Sequence, residues 1–481
     1  MERAARYWLA PLPAVRSWML FRSFLLVFAL DLFADHPAPG WRYGTAGFNV
    51  AHFEWMDRAL PVPSSAFYVG MLFALGLSAC VAALAERPPR ALVLAIAAGY
   101  LWSWSCSMHD SYQHHYLLSL IWFAFATFAP LSSRAMFGAP SELRGAPTGT
   151  PPSKGRAGRD VPPPPTLEGA LPHGLVPTAS SFGLVVVWTT AAVVYAYTAV
   201  SKTEADWIGG AALRTLTRDG AAVPSVVRAF ATLGLEGDAL WWFLGHATVA
   251  LQVACALGYA CAPLRDRATG RARTMLDAAA FVVLFLALSF HLGAESLGLE
   301  IGWFSGYMIV LALVTFLPAR ALSLMALFAT WPARAVAARS APSPIATAVL
   351  SLGVAVGLAA AGMAADLPGV AAATTIAAVV LMASAVAALV RRDGTRDVRN
   401  AAFALGLAAF AMTVAMQRTE TRYDYWRFAG GDFRRRGEWQ LALDAYTRAN
   451  RHAPAGQDRG SRIEEMRARI QSEGPRRAPH P

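Results

Sequence analysis

Eleven stretches of the chain are apolar for long enough to cross a bilayer core of about 30 Å. They run over 17–34, 66–85, 91–107, 116–133, 182–200, 239–262, 276–294, 299–319, 344–364, 370–390 and 400–416. This pattern predicts an all-α fold: a polytopic helical membrane protein of about 11 transmembrane helices with a small α-helical C-terminal tail. The fragment 321–333 follows Arg320 and ends in Trp331-Pro332. It is too short for a further crossing and reads as interfacial or re-entrant.

Breaks in the apolar pattern divide the chain. The first four spans make a unit over 1–137. Residues 138–180, with four prolines at 162–165, many glycines and little apolar content, cannot bury a core and are expected to be a disordered cytoplasmic linker. A second group of spans occupies 181–335, and three further Ala/Val-rich spans fill 336–416. In the extracytoplasmic tail, 417–481, Gly430, Phe433, Gly437, Trp439, Ala442, Tyr446, Ala449 and Pro454 fall where a tetratricopeptide-type helical hairpin wants small and aromatic residues. The match is a single unit, whereas about three are needed for an independent stack, so the hairpin is expected to dock on the membrane domain. Residues after about 474 are expected to be disordered.

Composition agrees with the pattern. Hydrophobic residues make up 56% of the chain and charged ones only 15%, too few charges for an ordinary soluble domain. The net charge of +11 does not indicate a nucleic-acid partner, because the basic residues lie in short connections and in the tail. One alternate set of connections holds Arg3, Arg6, Arg16, Arg87, Arg90, Arg134, Arg265, Arg267, Arg271, Arg273, Arg320 and Arg391, among others. The other set, over longer segments, holds only Arg42, Arg58, Lys202, Arg214, Arg218 and Arg228. By the positive-inside rule the N-terminus is cytoplasmic, and an odd span count puts the tail outside. Cys80, Cys106, Cys255 and Cys261 match neither a zinc knuckle nor a disulfide framework. The first apolar stretch lacks a small-residue cleavage site followed by a soluble domain, and is expected to be a retained span.

With that topology, ionisable groups collect at the outer face. The connection from Cys106 to Tyr116 carries His109, Asp110, His114 and His115; Lys202 ends the fifth span; His246 lies in the outer third of the sixth; His291 and Glu295 end the seventh; Glu300 opens the eighth. A lysine at the end of a spanning helix is an anchor when its ammonium snorkels to the headgroups. In a partly desolvated pocket it is a base, because burial disfavours the charged form. Ionisable groups at membrane depth are costly, so their collection at one level favours a shared cavity. The histidines at 109, 114 and 115 lack the carboxylates expected of a metal site, and none is predicted.

The segment from Tyr195 to Gly210, with Val200-Ser201-Lys202-Thr203-Glu204-Ala205-Asp206-Trp207-Ile208-Gly209-Gly210, resembles the corresponding segment of the vitamin K-dependent gamma-glutamyl carboxylases and their bacterial relatives, the horizontally transferred transmembrane domain family. Two further segments agree. Gln113-His114-His115-Tyr116-Leu117 is similar to the family's Asn-His-x-Tyr-Leu. Phe290-His291, followed by Ile301-Gly302-Trp303-Phe304, is similar to its Phe-His with a downstream Ile-Gly-x-Phe. The resemblance covers about residues 15–320.

The resemblance implies that Lys202 is the base that deprotonates reduced vitamin K, or another menaquinol-type naphthoquinone, assisted by His114 and His291. O2 and CO2 would be co-substrates, and His115, Tyr116, Tyr197, Trp207, His246 and Trp303 would line the quinone site. It further implies an extracytoplasmic active site in a bacterial inner membrane, with membrane lipid and quinone as partners and an external peptide or protein as acceptor of the carboxylate. The animal carboxylases carry a large lumenal domain that holds the substrate's propeptide. Here three spans and a small tail stand in its place, Ser201 replaces an adjacent lysine and Gln113 an asparagine. A quinol-dependent oxidoreductase without carboxylation, and a non-catalytic scaffold or transporter, therefore stay open. Polar groups gathered at one end favour a one-sided site over a transporter's midplane site.

Overall fold

The computed structural model describes residues 7–38, 40–43, 63–105, 113–128, 178–179, 181–217, 225–299, 301–326, 343–417 and 419–473. Nearly all of the expected linker and the end after 473 lie outside them. The long helices are numbered here in chain order: α1 (Ala14–Ala34), α2 (Ser65–Leu84), α3 (Arg90–Ser105), α4 (Gln113–Phe128), α5 (Phe182–Ser201), α6 (Gly237–Arg265), α7 (Gly270–Ser296), α8 (Trp303–Phe316), α9 (Pro344–Ala364), α10 (Val370–Arg391), α11 (Thr395–Gln417), α12 (Thr419–Arg435), α13 (Trp439–Arg451) and α14 (Gly460–Glu473). Among the described residues eight helices are long and apolar enough to cross a membrane, and the chain is a helical membrane protein. A ninth crossing results if α8 and the helix Ala319–Ala326, bent by 117°, are taken as one span. The bend has a local cause. Pro318 has no amide hydrogen to continue the ladder and pushes Leu317 into extended backbone, so α8 stops at Phe316.

The chain divides into two compact units, residues 1–27 with 120–341, and residues 28–119 with 342–481. In the first unit, Phe24 packs edge-on against Trp122 and Phe125 and lies 5.4 Å from Tyr307, while the Trp188 indole donates to Thr315 Oγ1 at 2.8 Å. A two-residue antiparallel pairing joins Leu12–Pro13 to Thr178–Ala179.

At the end where α6 meets α7, basic residues do more than set topology. Arg16 is fully buried, pairs with Asp266 and donates to the carbonyls of Val314 and Thr315. Arg265 bonds Asp277 at 2.7 Å and the Phe316 carbonyl at 2.9 Å, and Arg273 bonds the same aspartate at 2.8 Å. The last carbonyls of a helix have no partners within it, and at membrane depth no water supplies them. Two guanidinium groups therefore cap the end that Pro318 cuts short. Asp277 and Arg273 also explain why α7 starts at Gly270, six residues before the apolar run: paired charges extend the helix where hydropathy alone ends it.

In the second unit the Ala/Val-rich helices α10 and α11 pack against α2, and α9 packs on both of them. The α9–α10 turn lies directly on α2: a Cβ on Gly369 would meet the Ala66 carbonyl oxygen at 1.8 Å, and its φ is +81°. Both features demand glycine. Gly369→Ala is expected to cost about 1–3 kcal/mol from the backbone conformation alone, read as a lowered Tm in detergent. An unchanged Tm would show that the turn gives way.

Three helices, α12 to α14, follow the last span. Tyr446 and Ala442 of α13 meet Ile463 and Met466 of α14, with Phe433 and Trp439 against them. The tail is docked, not free. Thr421 donates to the Ala34 carbonyl, Ser65 and Tyr425 share a hydrogen bond, and the Trp426 indole donates to the Asp366 carbonyl at 3.0 Å. Arg448 reaches the Asp366 carboxylate at 3.4 Å. The end of α1, the start of α2, the α9–α10 turn and the tail thus lie at one end of this unit.

Candidate functional site

The lysine segment is shaped by where α5 ends. Helical bonding closes with Lys202 N–H donating to Ala199 and Thr203 N–H to Val200, after which the chain turns into two short helices, Ala205–Ile208 and Ala211–Leu216. Between them Gly210 takes φ +79°, and a Cβ there would meet the Trp241 carbonyl oxygen at 2.1 Å. Across the interface, a Cβ on Gly245 would meet the Trp207 carbonyl oxygen at 2.3 Å. The segment is seated backbone to backbone on α6, an approach open only to glycine. That docking places Trp207 beside the position before His246.

Lys202 is half-buried, with its Nζ 5.1 Å from the centre of the Trp207 ring. Burial lowers its pKa from the ordinary lysine value, and among the described residues no carboxylate pairs with it.

His291 is buried in α7, and its Nε2 lies 2.6 Å from the Tyr195 hydroxyl. The rings of Phe290 and Phe304 flank it at 5.0 and 6.4 Å, and Tyr195 stacks on Tyr259 at 5.7 Å with planes 13° apart. Tyr195 precedes Lys202 by seven residues, about two helical turns, so the two share a face of α5 about 10 Å apart along its axis. A half-buried lysine and a buried polar pair thus stand one above the other, with Trp207 beside the first and aromatic rings around the second. These residues suit a planar, apolar ring that carries an ionisable hydroxyl.

The remaining expected residues are placed as follows. His246 stacks on Trp242 with ring centres 4.0 Å apart, its Nδ1 2.9 Å from the Trp242 carbonyl oxygen. Trp303 opens α8 half-buried, and it is the next residue, Phe304, that meets His291. Tyr197 lies on the exposed face of α5, turned away from the buried face that carries Tyr195. His114, His115 and Tyr116 fall in the first turn of α4, in the second unit, and their side chains lie outside the described residues, as do His109, Asp110 and Glu300 entirely. Among the described residues no group of three or more His, Cys, Asp and Glu side chains is placed to hold a metal.

Sequence reading missed Tyr195, Tyr259 and Phe304 as site residues. The signal for Tyr195 was there, in its seven-residue offset from Lys202. Phe304 closes the Ile301-to-Phe304 motif that accompanies His291, where the sequence points to Trp303 instead, and Tyr259 comes from α6, where no spacing points to it. No family model, curated protein or solved structure matches the chain.

Proposed function

We propose that the protein is an integral membrane enzyme of the vitamin K-dependent carboxylase type, with Lys202 as the base that deprotonates a reduced naphthoquinone. The observation that carries this reading is the half-buried lysine at the end of a spanning helix, its pKa lowered by burial, its ammonium over Trp207 and no carboxylate partner among the described residues. The three-segment sequence resemblance supports it.

Lys202, Trp207 and the His291–Tyr195 pair are the residues that would hold the quinol. In its neutral form Lys202 takes the phenolic proton, and low polarity around it keeps that neutral form accessible. Trp207 positions the ammonium that results, since a cation over an indole face is stabilised without a counter-charge. The Tyr195 hydroxyl and His291 Nε2 share a hydrogen bond, and the pair presents an oriented dipole to the ring. Reduced naphthoquinone, oxidised by O2 to its epoxide with release of water, supplies the base that takes the γ-proton of a glutamate, whose carbanion adds CO2. Aromatic walls exclude water that would quench that base.

In this reading the eleven apolar helices α1–α11 are eleven crossings of a bacterial inner membrane. The N-terminus is cytoplasmic, while the Lys202 end and a tetratricopeptide-type tail are outside, where a peptide acceptor would be met. A variant of the reading keeps quinol oxidation without carboxylation.

The test is an assay of the purified protein in detergent with naphthoquinol, O2, CO2 and a glutamate-containing peptide. Epoxide together with carboxylated peptide is expected. Epoxide alone assigns the variant without carboxylation. A folded, monodisperse protein that forms no epoxide overturns the enzymatic reading and leaves the scaffold.

A further inference from the structure

The connection between α5 and α6 carries apolar side chains that stand exposed among the described residues. Leu216, at the end of the short helix Ala211–Leu216, is 54% exposed, and Leu233 is 78% exposed. Leu233 is presented by a built turn, not a frayed end: its N–H and that of Leu235 both donate to the Phe230 carbonyl, and Gly234 takes φ +78°. The helix before it, Ser225–Thr232, is fastened to α6 by Phe230 against Phe243 at 5.7 Å. Trp242, beside that contact, is 55% exposed.

Depth along α6 decides what meets these side chains. The helix has 29 residues, about 43 Å of axis, whereas the hydrocarbon core is about 30 Å. Its far end is held at Arg265 by the buried charge network, so its first turns, with Trp241 and Trp242, fall at the headgroup boundary, where indoles are favoured. Further down, Leu257 is 62% exposed on the same span, so the uncovered surface runs from the connection onto the lipid-facing side of α6.

We propose that Ser225–Leu233 and the end of Ala211–Leu216 form an in-plane shelf seated in the membrane, with phospholipid acyl chains and the adjoining glycerol layer as their partner. The shelf places the Lys202 segment at the lipid boundary and not in an aqueous loop. It holds whatever the substrate, because it rests on exposure and depth alone.

The experiment places a benzophenone amino acid at single positions of the full chain, reconstituted in vesicles of phosphatidylethanolamine and phosphatidylglycerol. After irradiation, lipid adducts on the labelled peptide are quantified by mass spectrometry. Leu257 serves as the lipid-facing reference and Ala455, exposed in the turn between α13 and α14, as the aqueous one. Adduct yield at Leu233 within about twofold of that at Leu257, and at least about fivefold above that at Ala455, is expected. Yield at Leu233 no higher than at Ala455, with Leu257 still labelled, overturns the shelf.

Discussion

Lys202→Ala is expected to lower naphthoquinol epoxidation by about 10²–10⁴-fold, the usual contribution of a general base, while the protein stays folded. Nothing in the structure makes the ammonium a tie: among the described residues it pairs with no carboxylate, and its neighbour is the Trp207 ring. Lys202→Arg separates the roles, because arginine keeps a cation over the indole yet does not deprotonate in proteins. The arginine variant is therefore expected to be as slow as the alanine variant. An arginine variant running at the wild-type rate would sink the assignment of a base.

The pH dependence has a definite sign. Burial lowers the lysine's pKa, so the neutral, proton-accepting form is reached at lower pH than for a free lysine. The wild-type rate should rise with pH through that lowered pKa and then level off, and neither variant should show this limb. Stability moves the same way. Below the lowered pKa the folded state bears the full penalty of a half-buried ammonium, and the penalty fades as pH rises toward the unfolded value of about 10.4. Tm of wild type should therefore increase over that window relative to Lys202→Ala, as read by thermal unfolding in detergent across pH.

Arg16→Ala is expected to be the most destabilising single change described here. Removing one partner of a buried ion pair costs about 3–5 kcal/mol, and among the described residues Asp266 would keep only Arg273 as an ion-pair partner, at 3.6 Å. Arg16 is fully buried, Asp266 nearly so, and the same guanidinium also serves two carbonyls at the end of α8. Arg271→Ala, an exposed arginine on the same helix as Arg273, is the control and should leave Tm nearly unchanged. Arg16→Met combined with Asp266→Leu should recover part of the loss, because no bare charge remains, but not all of it, because the Val314 and Thr315 carbonyls lose their donor. If Arg16→Ala lowers Tm no more than Arg271→Ala does, guanidinium capping is not what secures the end of α8.

Most of the helical layout was legible in the chain, for a plain reason. Where a span faces lipid and small apolar neighbours, its length follows from hydropathy: α9 at Pro344–Ala364 and α10 at Val370–Arg391 coincide with the apolar runs 344–364 and 370–390 to within a residue. Ends that depend on tertiary partners were not legible. Helices α6 and α7 run past their apolar stretches because Arg265, Arg273 and Asp277 satisfy one another; the end of α8 differs, since its cause, Pro318, is local and hydropathy alone passes over it.

The candidate site divides along the same line. Lys202, Trp207, the two glycines and His291 could be picked out because local residue types announce them: a cation at the end of an apolar run, Gly-Gly beside it, a histidine within a span. Sequence by itself determined that this is a helical membrane protein and which helix end carries the lysine, since bilayer thickness and backbone bonding leave helices as the only solution for such runs. Tertiary structure alone decided that Trp207 lies under the ammonium, that Tyr195 bonds His291 and that Tyr259 backs it. Those contacts join residues on different turns and different helices, so only the packing of α5, α6 and α7 brings them together, with the Trp207 segment seated on α6 at Gly210 and Gly245.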